Sequence, residues 1–192
     1  MEENNNKILK NDEKLSILQE PNIKYKLKEH FIVIDSGDRD CLCYPNPSLY
    51  RYELPSDYRN VVLIELIDAI LPDKNNILQE PFILLKVGEI TNTLLSSNRY
   101  ISDSFAVLKL ANPVNSGYFI TVDNNIFEST PKIFKTPLSR LHHFTISLLK
   151  KDGSLFDFQA PTPTDPLYQH TLTFKIITSE VSNEYLQQRN VF

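Results

Sequence analysis

Apolar positions along this chain recur mostly with a period of two and in short runs, a pattern that predicts strands rather than helices. Phe31-Ile32-Val33-Ile34 is continuously apolar, so a strand over His30–Asp35 is expected inside a sheet, covered on both faces. Leu49–Leu54 sets Tyr50, Tyr52 and Leu54 against Arg51 and Glu53, a second strand with one buried and one wet face. Val61–Leu71 is the longest apolar run, yet Glu65 lies at an odd position and Asp68 at an even one. A regular half-buried strand keeps its charges at one parity, so this third strand should contain a bulge or a corner between sheets.

Further strands are expected over Phe82–Glu89, Ser104–Leu110, Tyr118–Val122 and, as a short edge strand, Pro131–Thr136. Turns at Asn112–Ser116 and Asp123-Asn124-Asn125 flank the Tyr118 strand, and polar loops cover residues 73–80 and 91–103. Phe144, Ile146 and Leu148 alternate, Lys151-Asp152-Gly153 supplies a tight turn, and Leu155–Phe158 returns. The three prolines of Ala160–Pro166 make a loop, after which His170–Thr178 turns Leu172, Phe174 and Ile176 inward. The two ends hold only scattered apolar positions. A short helix is expected at Asp12–Gln19 and another from a Ser182 cap to Gln188. Eight to ten strands without a substantial helix predict an all-β, antiparallel β-sandwich over residues 30–178, jelly roll or immunoglobulin-like. Residues 1–29 and 179–192 are its polar tails, mobile alone and ordered on assembly. The absence of Trp and of a spaced cysteine pair weighs against the immunoglobulin form.

Composition narrows the function classes. The 192 residues suit one domain, with 41% hydrophobic and 23% charged residues, 4 glycines and 12 prolines. A net charge of −4 without a cluster of Lys and Arg argues against direct nucleic-acid binding. The polar opening MEENNNKILK and the lack of a long apolar run lead us to expect no signal peptide and no membrane insertion. Cys41 and Cys43, the two cysteines, are too close along an extended segment to bridge and are expected as free thiols.

Chemistry-bearing patterns are few. Ile32-Val33-Ile34-Asp35-Ser36-Gly37 has the form of an apolar strand ending in the Asp-Ser-Gly of an aspartic protease, with a dimer needed for the second carboxylate. Asp38 adds a charge that would upset such a dyad, and no glycine-rich hairpin offers a flap. The competing reading makes Asp35, Ser36, Gly37, Asp38, Arg39 and Asp40 a structural turn, tied by backbone amides and a local ion pair. Metal ligation by Asp35, Asp38 and Asp40 lacks the spacing of a calcium loop, and Cys41, Cys43, His142 and His143 lack that of structural zinc. His142 and His143 are expected at a strand entrance with one ring inward and one outward, and His30 and His170 simply flank strands. No catalytic residue, metal or cofactor is assigned, and the chain is not expected to be an enzyme.

The order of two residue blocks does resemble a known group. FIVIDSGDRD, then YPNPSLYRYELPSDYRNVVLIELIDAILP, is similar to the opening of single jelly-roll minor capsid or penton-class proteins of nucleocytoplasmic large DNA viruses, the mimivirus and phycodnavirus groups among them. Pro137-Leu138-Ser139-Arg140-Leu141 leading into Phe144, then Asp152–Phe158 and the last strand His170–Ile176, matches in style. Cys41, Cys43 and the Pro-rich insert depart from the pattern. The resemblance implies a structural component of an icosahedral capsid, located in the virion and assembled in the host cytoplasm. Its implied partners are other capsid proteins, including the major capsid protein and itself as a pentamer. A different class remains open from the residues alone: a carbohydrate- or host-binding β-sandwich module with loop tyrosines Tyr44, Tyr50, Tyr58, Tyr100 and Tyr118 stacking on sugars.

Overall fold

The computed structural model describes residues 25–90, 94–110, 114–115, 118–123, 128–129 and 131–182. The helix expected at Asp12–Gln19 lies outside these residues, as do the one expected after Ser182 and the Asn124-Asn125 part of one turn. The unit described below is Leu27–Ser179.

The described residues contain nine strands: β1 (Tyr25–Asp35), β2 (Leu49–Pro72), β3 (Phe82–Val87), β4 (Ala106–Lys109), β5 (Val114–Asn115), β6 (Phe119–Asp123), β7 (Glu128–Ser129), β8 (Lys132–Leu149) and β9 (Thr171–Val181). One helix of four residues, α1 (Arg99–Ser102), is capped by the Asn98 side chain. The strand order is β1-β9-β2-β8-β3-β4-β7, with β6 on β2 and β5 on β6, and β2 pairs antiparallel with β6, β8 and β9, as do β3 with β4 and β8, β4 with β7 and β5 with β6. The expected all-β antiparallel sandwich is what the chain forms.

Two long strands make one curled sheet into two layers. β2 is 24 residues long, roughly 80 Å if it ran straight at ordinary strand rise. It bends instead. Its first part, Leu49–Glu53, pairs with β8, while Asp68–Ile70 lies between β9 and β6. β8 divides its pairing in the same way, Leu138–Ser147 running along β2 and Ile146–Leu149 along β3. Side chains from the two layers meet in one core, where Phe174 of β9 packs against Phe144 of β8 and Phe105, with ring centroids 4.9 and 5.9 Å apart.

The parity switch read from Glu65 and Asp68 is a bulge in the β2–β9 register between Leu66 and Asp68. Burial follows it: Ile64 and Leu66 point inward on one side of the shift, Ala69 and Leu71 on the other. A second shift between Val61 and Leu63 moves the parity once before.

Three expectations are corrected. The strands at Leu49–Leu54 and Val61–Leu71 are one strand, because Pro55-Ser56-Asp57 bulges away from β8 between Glu53 and Tyr58 without ending the strand. Asn60, with φ of 52°, takes the left-handed turn that its short polar side chain tolerates. Likewise the Pro131–Thr136 and Phe144 strands are one, β8, with Pro137 carried inside the register shift opposite Val61 and Leu63. Finally, β1 is terminal in the strand order, not central. Ile32 and Ile34 are buried, whereas Phe31 and Val33 are 63% and 60% exposed. An apolar run on both faces therefore did not mean two covered faces.

Smaller differences concern the ends of the hairpins. Val114–Asn115, read as part of a turn, pairs with β6. Leu155–Phe158 keeps one bridge to Leu149 and one hydrogen bond to Leu148, then leaves β8 while burying Phe156 and Phe158. The Lys151-Asp152-Gly153 turn is present, with Gly153 at φ of 84°. A Cβ there would sit 2.4 Å from the Tyr100 ring, so backbone and neighbour both require glycine.

Candidate functional site

Two clusters of polar side chains stand out, and they differ in how completely they are closed. The first is the acidic turn after β1. Asp35 accepts from the Gly37 amide at 2.7 Å, and Asp40 accepts from the Leu42 and Cys43 amides at 3.0 and 3.3 Å. These are local carboxylate-to-amide bonds of the kind that end strands. Bonding from the Cys43 thiol and from those amides holds the Asp40 carboxyl below its usual range. In return, Asp40 raises the Cys43 thiol and leaves it a poorer nucleophile. Cys41 and Cys43 are free thiols, as expected.

Arg39 departs from the expected local ion pair. It is 5% exposed, and its guanidinium turns beneath the loop. Nε donates to the Tyr44 carbonyl, Nη1 to the Ser36 carbonyl and Gln169 Oε1, and Nη2 to the carbonyls of Pro45 and Pro163. Five donors meet five acceptors, four of them backbone oxygens. Ser36 Oγ donates to Gln169 Oε1 at 3.0 Å and accepts from the His170 amide at 2.8 Å. The Ser36 amide bonds the His170 carbonyl at 2.9 Å. Ser36 thus faces inward, to β9, instead of serving the Asp35 carboxylate.

Behind this lies a buried aromatic pair. His170 Nε2 and the Tyr50 hydroxyl are 3.1 Å apart, and Phe158 covers the imidazole. Burial pushes His170 down to about 3, with the nearby Arg39 charge adding to the effect, and pushes the Tyr50 phenol well up. The imidazole is therefore neutral at ordinary pH. Sequence reading singled out the turn but missed Gln169 and the burial of Arg39 and His170.

The second cluster is on the outer face of the β2–β8 pair. Glu53 of β2 is directly opposite His143 of β8. His142 and His143 do not point to opposite faces, which corrects the expectation. Leu141 and Phe144 are both buried, and an interval of three residues in a strand leaves two side chains together on the outer side. The bulge at Glu53/Tyr58 is where this happens. The two imidazoles touch, His143 Nδ1 being 3.1 Å from His142 Nε2, with ring centroids 4.4 Å apart. The sequence held the signal: two apolar residues bracketing His-His at odd spacing within a strand.

Glu89, just beyond β3, completes the cluster. One oxygen is 3.0 Å from His143 Nε2, and the carboxylate also accepts from the Thr145 amide and hydroxyl, each at 2.8 Å. It takes over hydrogen bonding of β8 where β3 ends. Among the described residues, Asp35, Asp38 and Asp40 form no common ligand set, and Cys41 and Cys43 do not join His142 and His143. The tyrosines form no platform either. Tyr50 is fully buried, Tyr44 and Tyr58 pack on the core, Tyr100 lies against Gly153, and Tyr118 is exposed beside Lys74.

No protein-family model matches this chain, and no curated protein matches it.

Proposed function

We propose that this chain is a structural protein of an icosahedral large DNA virus capsid, a minor capsid or penton-class component folded as a single jelly roll. It acts through subunit–subunit contacts with the major capsid protein and with copies of itself as a pentamer, in particles assembled in the host cytoplasm. It carries no catalytic role and contacts neither nucleic acid nor membrane interior. The observation that carries this reading is the joining of the two residue blocks that resemble that group. The turn Asp35–Asp40 and the last strand lie more than 120 residues apart in sequence, and Arg39, Ser36, Gln169 and His170 lock them together. A turn whose guanidinium and serine hydroxyl are spent on the fold fits a shell protein better than an enzyme.

The outer face of β1 adds support. Leu27, Phe31 and Val33 are exposed at one end of the sheet, apolar surface of the kind that modest capsid contacts bury between subunits. None of the described helices is long and apolar enough to cross a membrane. The test is mass spectrometry of gradient-purified particles, with co-assembly of recombinant protein and the major capsid protein. Recovery at a fixed, substoichiometric ratio to the major capsid protein is expected. Absence from particles, with specific hits on a glycan array, would replace this reading by that of a carbohydrate-binding module. Acid-optimum proteolysis lost on Asp35→Asn would replace it by that of a protease.

A further inference from the structure

From the bulged His pair we infer a divalent transition-metal site, of zinc type, in which His142, His143 and Glu53 are the ligands and Glu89 orients His143. One donor atom from each of these three ligands lies within 4.8 Å of the other two. Two nitrogens bound to one tetrahedral zinc at ordinary bond lengths are separated by roughly 3.3 Å. His142 Nε2 and His143 Nδ1 stand at 3.1 Å, close to that separation before any ion enters. Glu53 is exposed, and its side chain has the freedom to close the remaining gap.

Glu89 supplies what a lone His pair would lack. Its carboxylate meets His143 Nε2 at 3.0 Å and fixes that nitrogen as the N–H donor. His143 Nδ1 is then left with its lone pair directed at His142. A carboxylate behind a ligating imidazole both orients the ring and raises its basicity. Glu89 is itself held by two bonds from Thr145, so this support is built into the end of the β3–β8 ladder. With His143 in that tautomer, a neutral His142 is the donor of the bond between them, through Nε2–H; moving that proton to Nδ1 frees Nε2 for a metal without a change of charge.

The surroundings do not oppose a cation. Arg51 Nε donates to Glu53 Oε1 at 2.7 Å, but this pair is exposed on both sides and too weakly held to keep Glu53 from another partner. Two carboxylates, Glu53 and Glu89, outnumber the one guanidinium, Arg51, around the imidazole pair. Two nitrogens and one carboxylate oxygen suit zinc over calcium or magnesium, which prefer all-oxygen sets. The fourth position faces solvent on the side of exposed Glu53. Because the ligands come from β2 and β8, an ion would pin the two long strands together at their bulge.

The test is isothermal titration of zinc chloride into the untagged full chain carrying Cys41→Ser and Cys43→Ser, so that thiols contribute nothing. One zinc per chain is expected, with calcium and magnesium giving no heat. Glu89→Gln, which keeps the shape of the support, should weaken binding by about 10- to 100-fold. His142→Ala with His143→Ala should abolish it while the circular dichroism spectrum stays that of the parent. Zinc should also raise the melting temperature of the parent and not of the double variant. Zinc binding that survives the double variant, or no binding by the folded parent at millimolar zinc, overturns the assignment.

Discussion

The turn below β1 and the histidine bulge on β8 hold similar numbers of polar side chains and put them to opposite uses. Around Arg39 the donors and acceptors are matched and turned inward, so the cation is consumed by the fold. Around His142 and His143 the polar atoms face outward, half-buried, with a carboxylate behind one ring and another opposite it. A closed network stabilises a loop but offers nothing to a ligand. An open one contributes little to folding and keeps its lone pairs for something else. Density of charged and polar residues therefore does not locate a ligand site; the direction in which their hydrogen bonds run does.

The largest test of this contrast is Arg39→Ala. It removes the guanidinium from four carbonyls and from Gln169 Oε1, leaving the Tyr44 and Pro45 carbonyls without the side-chain donor that held them, and should cost about 3–5 kcal/mol of unfolding free energy in a denaturant titration. Arg39→Lys should recover only part, because an ammonium has three donors and no fork. Next comes pH. His170 is pushed down to about 3 in the folded chain, against an ordinary value near 6.5 when unfolded. Its contribution is thus fully present above about pH 6.5 and is lost as pH falls toward 3, since only the unfolded chain takes up the proton. Relative to a His170→Gln variant, the parent should lose about 2–3 kcal/mol between pH 6.5 and 4.5, read from unfolding curves at each pH. Tyr50→Phe, which removes only the hydroxyl bonded to His170, should cost about 1 kcal/mol. Smallest of all, His142→Ala in metal-free buffer should shift stability by no more than about 0.5 kcal/mol. An effect there as large as that of Arg39→Ala would erase the distinction between the two clusters.

Much of the fold was legible in residue order. The charge parity of Glu65 and Asp68 located a bulge within two residues of its place, because inward and outward positions on a strand cannot be exchanged without one. The sandwich class followed from alternation alone. Continuity was harder to read: prolines 55 and 137 look like strand ends, yet each sits in a register shift where its missing N–H costs no ladder bond. The position of β1 was misread because an apolar face predicts a cover without saying what provides it. Of the turn, the carboxylate-to-amide bonds were foreseeable from the Asp-x-Gly of Asp35–Gly37 and from an Asp at position 40 facing the amides two and three residues on. The Arg39 network was not, since four of its five partners are carbonyl oxygens, which every residue carries and sequence does not distinguish.

The sharing of β2 between both layers has a consequence for how the molecule comes apart. A sandwich made of two separate sheets could lose one while keeping a remnant of the other. Here the same 24 residues pair with β8 in one layer and with β9 and β6 in the other, so neither layer can melt without taking the shared strand with it. Unfolding of Leu27–Ser179 should be a single cooperative event, and refolding should be slow. The closing pairs, such as Tyr50 with Ile146 and Val61 with Thr178, join positions about a hundred residues apart, and that loop entropy must be spent before the contacts return anything.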